Sequence, residues 1–81
     1  MAGDKLQDLI ACIASSLVDD PDAVEVNVVE EDRAVVLELT VAPDDLGKVI
    51  GKEGRTARAM RTLLAATSAR LRKRAILDIL E

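Results

Sequence analysis

Apolar residues along the chain follow two different periods, and the switches between them mark the elements. From about Asp4 to Val18, Leu6, Leu9, Ile10, Ile13 and Leu17 recur at steps of three and four, which predicts an amphipathic helix. Asp4, Asp8 and Ser15 lie on its opposite face. Asp19-Asp20-Pro21-Asp22 ends it, because proline disfavours helix in the residue before it. The period then changes to two. Val24, Val26 and Val28 alternate with Glu25 and Asn27, and after the polar Glu30-Glu31-Asp32-Arg33, Val35, Leu37, Leu39 and Val41 alternate with Val36, Glu38 and Thr40. Two half-buried strands follow from this, paired antiparallel with one side toward helices. Pro43 opens a short helix with Leu46, Val49 and Ile50 on its apolar face, and Asp44 and Asp45 suit the positive end of its dipole. A longer helix is predicted from about Arg55 to Arg70, with Ala57, Met60, Leu64, Thr67 and Leu71 facing inward and Leu63 at the edge. A last strand runs from about Arg72 to Leu80, with Ala75, Leu77 and Ile79 on one face. The order α-β-β-α-α-β reads as an α+β fold, a three-stranded sheet packed on one face by three helices.

Composition narrows the chemistry. The 81 residues, 49% hydrophobic and 32% charged, are expected to form one small domain spanning positions 1–81. No apolar run approaches the ~18–20 residues of a membrane span, so no membrane partner is expected. The opening MAGDKLQDLI has no long apolar stretch and is not expected to be a secretory signal. Cys12 is the single cysteine, which rules out an internal disulfide. It lies on a flank of the first helix with no cation within a turn to stabilise a thiolate, so it reads as a small filler. Histidine is absent, which removes the commonest general base and zinc ligand. Asp44-Asp45 has no metal-ligand context around it. The sequence therefore points to no catalytic residue, no metal and no cofactor. Phe, Tyr and Trp are also absent, so bases cannot stack on aromatic platforms.

The net charge of −4 hides a strong asymmetry. Residues 1–45 carry two basic and twelve acidic side chains, whereas residues 46–81 carry nine basic and three acidic ones. Such a division suggests one face built for an anionic partner. Three of the four glycines, Gly47, Gly51 and Gly54, fall within the basic half, close together. Gly51 and Gly54 bracket Lys52 and Glu53 between two helices, and the second helix opens with free N–H groups and a positive dipole end. Lys48, Lys52, Arg55 and Arg58 surround that point. Backbone amides, a helix N-terminus and cations together make a phosphate-binding surface. The spacing does not fit a P-loop, since Gly47 to Gly51 encloses three residues rather than four and Lys52 is followed by Glu53.

Val49-Ile50-Gly51-Lys52-Glu53-Gly54, followed by an amphipathic basic helix, resembles the signature of a KH domain, and the element order is that of type II. Across essentially the whole chain, including Val41–Lys52 and Gly54–Thr62, the sequence is similar to the small bacterial single-KH-domain RNA-binding proteins of the KhpA family. The resemblance implies binding of about four nucleotides of single-stranded RNA, with the Gly-x-x-Gly loop clamping the backbone. Gly51 and Gly54 would admit phosphates, Lys52 would supply charge, Ile50 would help floor an apolar groove, and Arg55 and Arg58 would line the backbone path. It also implies a cytoplasmic RNA chaperone or post-transcriptional regulator. Its partners would be a second copy or a larger KhpB-like KH-domain protein, with ribosome association as a further candidate, and cell-length and cell-wall regulation as its setting. Glu53 departs from the neutral or basic residues common in such loops and predicts weak, salt-sensitive binding.

Two other features carry alternatives. Arg70, Arg72, Lys73 and Arg74 form the densest basic cluster, readable as a secondary RNA contact or as cations favoured at a helix C-terminus. Val36, Ile76 and Leu80 are expected on the sheet face away from the helices, which allows a second reading as a protein-interaction module that dimerises there.

Overall fold

The computed structural model describes the backbone of residues 2–69 and 72–81 and the side chains of residues 5–69 and 72–81. Its elements run α1 (Ala2–Leu17), β1 (Glu25–Glu30), β2 (Ala34–Thr40), α2 (Leu46–Ile50), α3 (Arg55–Ser68) and β3 (Arg74–Ile79), with short 3-10 turns at Pro21–Ala23, Pro43–Asp45 and Lys52–Gly54. The order is the one the periodicity predicts. β2 is the central strand of a sheet ordered β1-β2-β3. β1 and β2 form an antiparallel hairpin that pairs Val26 with Leu39 and Val28 with Leu37. β3 runs parallel to β2, pairing Leu77 with Leu37. A parallel neighbour needs a crossover, and α2, the Lys52–Gly54 turn and α3 supply it. The loop of interest is therefore part of the connection between two adjacent strands.

One core joins the layers. Val35, Leu37 and Leu39 of β2, with Leu77 of β3, meet Leu6, Ile10 and Ala14 of α1, Val49 of α2, and Met60 and Leu64 of α3. Burying a Leu, Ile or Val fully is worth roughly 1.5–3 kcal/mol each, so this alternation largely decides which face of the sheet the helices cover.

The structure corrects the predicted stripes at their ends. In α1, Ala14 is fully buried, whereas Leu17 in the last turn is 39% exposed. Val18, just past the helix, packs against the core instead. In α3, Ser68 is buried and Thr67 is exposed. Both lie roughly 50° from the centre of the Ala57–Met60–Leu64 stripe at 100° per residue, so the helical period alone does not choose between them. Thr67 donates its hydroxyl to the Leu63 carbonyl at 2.7 Å. Arg70 and Leu71 lie outside the described residues. β3 begins at Arg74 rather than Arg72, because Arg72 has φ +57°, a left-handed turn conformation incompatible with a strand. Its far end continues the ladder, with Leu80 N–H donating to Leu39 O at 2.9 Å. Cys12 is a free, exposed thiol.

Candidate nucleic-acid interface

Two helices and the backbone between them build the loop. α2 ends at Ile50 because Gly51 takes φ +79°, ψ +170°, a region essentially closed to residues with a side chain. Its N–H still closes the last turn on Gly47 O at 2.9 Å. Lys52 starts a tight turn in which Glu53 (φ +58°) and Gly54 (φ +74°) are both left-handed, and Gly54 N–H donates to Gly51 O at 3.1 Å. α3 then begins at Arg55 with no side chain capping its N-terminus. That leaves the positive end of a 14-residue helix facing outward beside the loop.

The two glycines serve different ends. A Cβ on Gly51 would sit 2.8 Å from both the Cβ and the backbone nitrogen of Thr56. Thr56 therefore packs where that side chain would be, a contact the spacing did not reveal. A Cβ on Gly54 would meet nothing nearer than the Arg58 guanidinium, 4.0 Å away. Only its left-handed backbone asks for glycine.

The predicted cations are brought to this end of the molecule in unequal states. Lys48 donates to Asp45 Oδ1 at 3.0 Å and pairs with Asp19 Oδ2 at 3.1 Å, so its charge is already balanced by two carboxylates. Asp45 is only 2% exposed and also accepts the Asp20 N–H at 3.1 Å on Oδ2. It does not cap α2, as its position ahead of the helix suggests, but ties α2 to the turn after α1. The Lys48 hydrogen bond holds the Asp45 carboxyl below the usual carboxylate range, against the opposing effect of burial. The hydrogen bonds to Asp45 and then Asp19 push the Lys48 ammonium up.

Nearer the loop, Arg58 donates to Glu53 O at 2.7 Å and so braces the turn from inside α3. Arg55 lies 3.7 Å from the Glu53 carboxylate, with both side chains exposed. Lys52 is exposed, and no ion pair between described residues engages it. Ile50 is half-buried beside them. Among the described residues, the site thus presents one ammonium without an ion-pair partner, two guanidiniums in contact with Glu53 and a helix end with no side-chain cap.

A family model described as KhpA/KhpB, KH domain, matches residues 7–79, which span every element except the first turn of α1. The chain belongs to this KH-domain family. Among its relatives, the RNA-binding protein KhpA of Caldanaerobacter subterraneus subsp. tengcongensis is 51% identical over 73 residues, covering 90% of this chain and 97% of the relative. RNA-binding protein KhpA of Aquifex aeolicus is 50% identical over 76 residues, covering 94% and 96%. The protein of the same name from Borreliella burgdorferi is 49% identical over 74 residues, covering 91% and 90%. The KH match includes the Gly51–Gly54 loop and both helices that flank it. Among the described residues, no helix is long and apolar enough to cross a membrane.

Proposed function

We propose that this chain binds single-stranded RNA at the Gly51–Gly54 loop, as a cytoplasmic RNA chaperone or post-transcriptional regulator that acts with a KhpB-like partner and performs no catalysis itself. The observation that carries the reading is the loop backbone. Three departures from right-handed geometry within four residues, at Gly51, Glu53 and Gly54, turn the chain into a helix N-terminus without a side-chain cap, with Lys52 exposed beside it. Phosphates are the ligands such a site favours. Membership of a KhpA/KhpB family and relatives called RNA-binding protein support the ligand class and the partner.

Fluorescence anisotropy of a labelled, unstructured RNA at low salt tests this. The variant is Lys52→Asp combined with Glu53→Asp, checked for folding by circular dichroism. Loss of binding is the expected result, and a slope of log K against log salt of about −2 to −3 in the parent protein, for three or four phosphates. Equal binding by parent and variant would remove the loop from the reading.

A second reading rests on the outer sheet face. Val29, Val36 and Ile76 are register partners across all three strands and form one aliphatic row, with Leu80 further along. Val29, Ile76 and Leu80 are exposed. If dimerisation through this face is the main role, Ile76→Glu abolishes self-association in sedimentation velocity while Lys52→Asp does not.

A further inference from the structure

The outer face of the sheet, turned away from the helices, is divided into rows that cross the strands. Val29, Val36 and Ile76 form the aliphatic row. Two residues along, roughly 7 Å away, Asn27, Glu38 and Asp78 form the next. Glu25 and Thr40 lie beyond it, with Leu80 alongside. Ala34 and Arg74 stand on the other flank of the aliphatic row. Of the large apolar side chains left exposed, Leu17 and Leu63 sit singly on helices, whereas Val29, Ile76 and Leu80 share this face. Grouping of that kind marks a contact surface more than scattered exposure does. The acids beside it are uncommitted: none of the ion pairs between described residues uses Glu25, Glu38 or Asp78. Glu38 accepts a long hydrogen bond from Asn27 Nδ2 at 3.4 Å. A shallow hollow lined by Glu25, Asn27, Glu38, Thr40 and Leu80 joins the acids to the exposed leucine, and no cation among the described residues lines it.

We infer that this face docks a basic amphipathic helix of another protein, with aliphatic side chains on the Val29–Val36–Ile76 row and lysines or arginines over Glu38, Asp78 and Glu25. Charge selects the occupant. Carboxylates beside the row repel a nucleic-acid backbone. A second copy laid face to face would set three carboxylates from each chain against one guanidinium from each, a contact dominated by like charge. A basic segment neutralises the acids and buries the aliphatic row at once. The spacing suits a helix that crosses the strands: its turns are about 5.4 Å apart and adjacent strands about 4.8 Å, so three turns place one anchor over each strand. The inference does not rest on the loop reading. The helices that carry the Gly51–Gly54 loop cover the other face of the sheet, so docking here leaves the loop open.

The test uses the full chain and a synthetic peptide of leucine and lysine, about fourteen residues long and patterned as an amphipathic helix. A counterpart with glutamate in place of every lysine is the control. NMR titration should move the amides of Val36, Ile76 and Asp78 with the lysine peptide and leave them in place with the glutamate peptide. Glu38→Gln combined with Asp78→Asn should weaken the lysine peptide about fivefold, the scale of two exposed ion pairs. Ile76→Thr, which keeps a β-branched side chain in the strand, should weaken it by a similar factor. Should Ile76→Thr melt early, the charge variant carries the test, since it alters no buried apolar contact. Several results would overturn the inference: no binding, equal binding of both peptides, shifts centred on the acidic stretch from Asp19 to Asp32, or an unchanged affinity in the charge variant. So would sedimentation velocity showing a dimer that Ile76→Thr dissociates, because the face would then be covered by a second copy. The Lys52→Asp, Glu53→Asp variant should bind the lysine peptide as the parent does, and its RNA result bears on the loop reading alone.

Discussion

The two ends of α3 are equally basic in sequence and quite different in structure. At the N-terminal end, Lys48 is balanced by Asp19 and Asp45, Arg58 braces the Glu53 carbonyl, and Arg55 lies against the Glu53 carboxylate. Lys48 is thus neutralised and Arg58 is held in place by the loop, while Lys52 is left among the described residues with no such contact, beside the backbone and the helix dipole. At the C-terminal end, Arg33, Arg72, Lys73 and Arg74 line one concavity with no acid among the described residues that line it, and the helix dipole there works against an anion. One end is a shaped backbone with little spare charge. The other is spare charge with little shape. Counting lysines and arginines cannot separate these, because availability depends on partners that only the fold supplies.

The largest effect should come from the shaped end. Gly51→Ala would force a side chain into a backbone region essentially reserved for glycine and into Thr56. Backbone strain of about 1–3 kcal/mol and a similar overpacking cost put its destabilisation at roughly 3 kcal/mol. Gly54→Ala meets no neighbour and carries only the left-handed penalty of about 1–2 kcal/mol. Urea denaturation of the two variants measures the gap, and equal losses would mean that Thr56 yields easily and the loop is softer than its geometry implies.

Binding effects come next and bear on which charges are free. Lys52→Gln should weaken RNA binding about fivefold, on the order of 1 kcal/mol for one lost charge-assisted contact. Lys48→Gln should change affinity much less and lower the melting temperature instead, because its ammonium is already engaged. The reverse pattern, seen by anisotropy and thermal melts on the same pair, would show that Asp19 and Asp45 release Lys48 to the ligand.

The Asp45–Lys48 contact also has a pH signature. Asp45 is held below its ordinary value, so its contribution to stability is complete above about pH 3.9 and fades as pH falls through the depressed folded value. Lys48 is held above its ordinary value, so its contribution is complete below about pH 10.4 and fades as pH rises beyond it. Between those limits the pair adds no pH dependence. Asp45→Asn should lower stability near neutrality while flattening the acid limb of the profile in denaturant titrations at pH 2–6. An acid limb parallel to that of the parent would assign the loss to other carboxylates.

These contrasts also mark where reading the sequence runs out. The alternation of Val35, Leu37 and Leu39 and the stripe of Leu6 and Ile10 are local regularities, enforced by the burial of one face, and the structure keeps them. The Gly51–Lys52–Glu53–Gly54 turn is equally local, since two of its three positive-φ positions are glycines, although nothing in the sequence marks the third, Glu53. Asp45 with Lys48 is a local i, i+3 pair, but Asp19 and the Asp20 N–H reach it from a turn far earlier in the chain. Arg33 reaches the α3–β3 turn only because β2 and β3 pair in parallel with Ala34 opposite Arg74. Thr67 and Ser68 straddle their helix stripe so evenly that packing, not period, selects Ser68. Contacts set by the tertiary arrangement leave no periodic trace for a single sequence to show.

The smallest expected effect concerns the spare-charge end. Arg72 is a non-glycine residue at φ +57°, costing about 1–2 kcal/mol against right-handed backbone. Arg72→Gly relieves that strain but gives the unfolded chain more freedom, worth about 0.4–1 kcal/mol in the other direction. The net gain is roughly 0.5 kcal/mol, a rise of a few degrees in melting temperature for a chain of this size. The same variant should lose about threefold in affinity for a labelled, unstructured RNA. Stability and binding would then move in opposite directions at one residue, the behaviour of a strained position kept for contact with a ligand. A variant that gains stability and keeps its affinity would instead mark Arg72 as a strained turn residue, and leave any phosphate contact at this end to Arg33, Lys73 and Arg74.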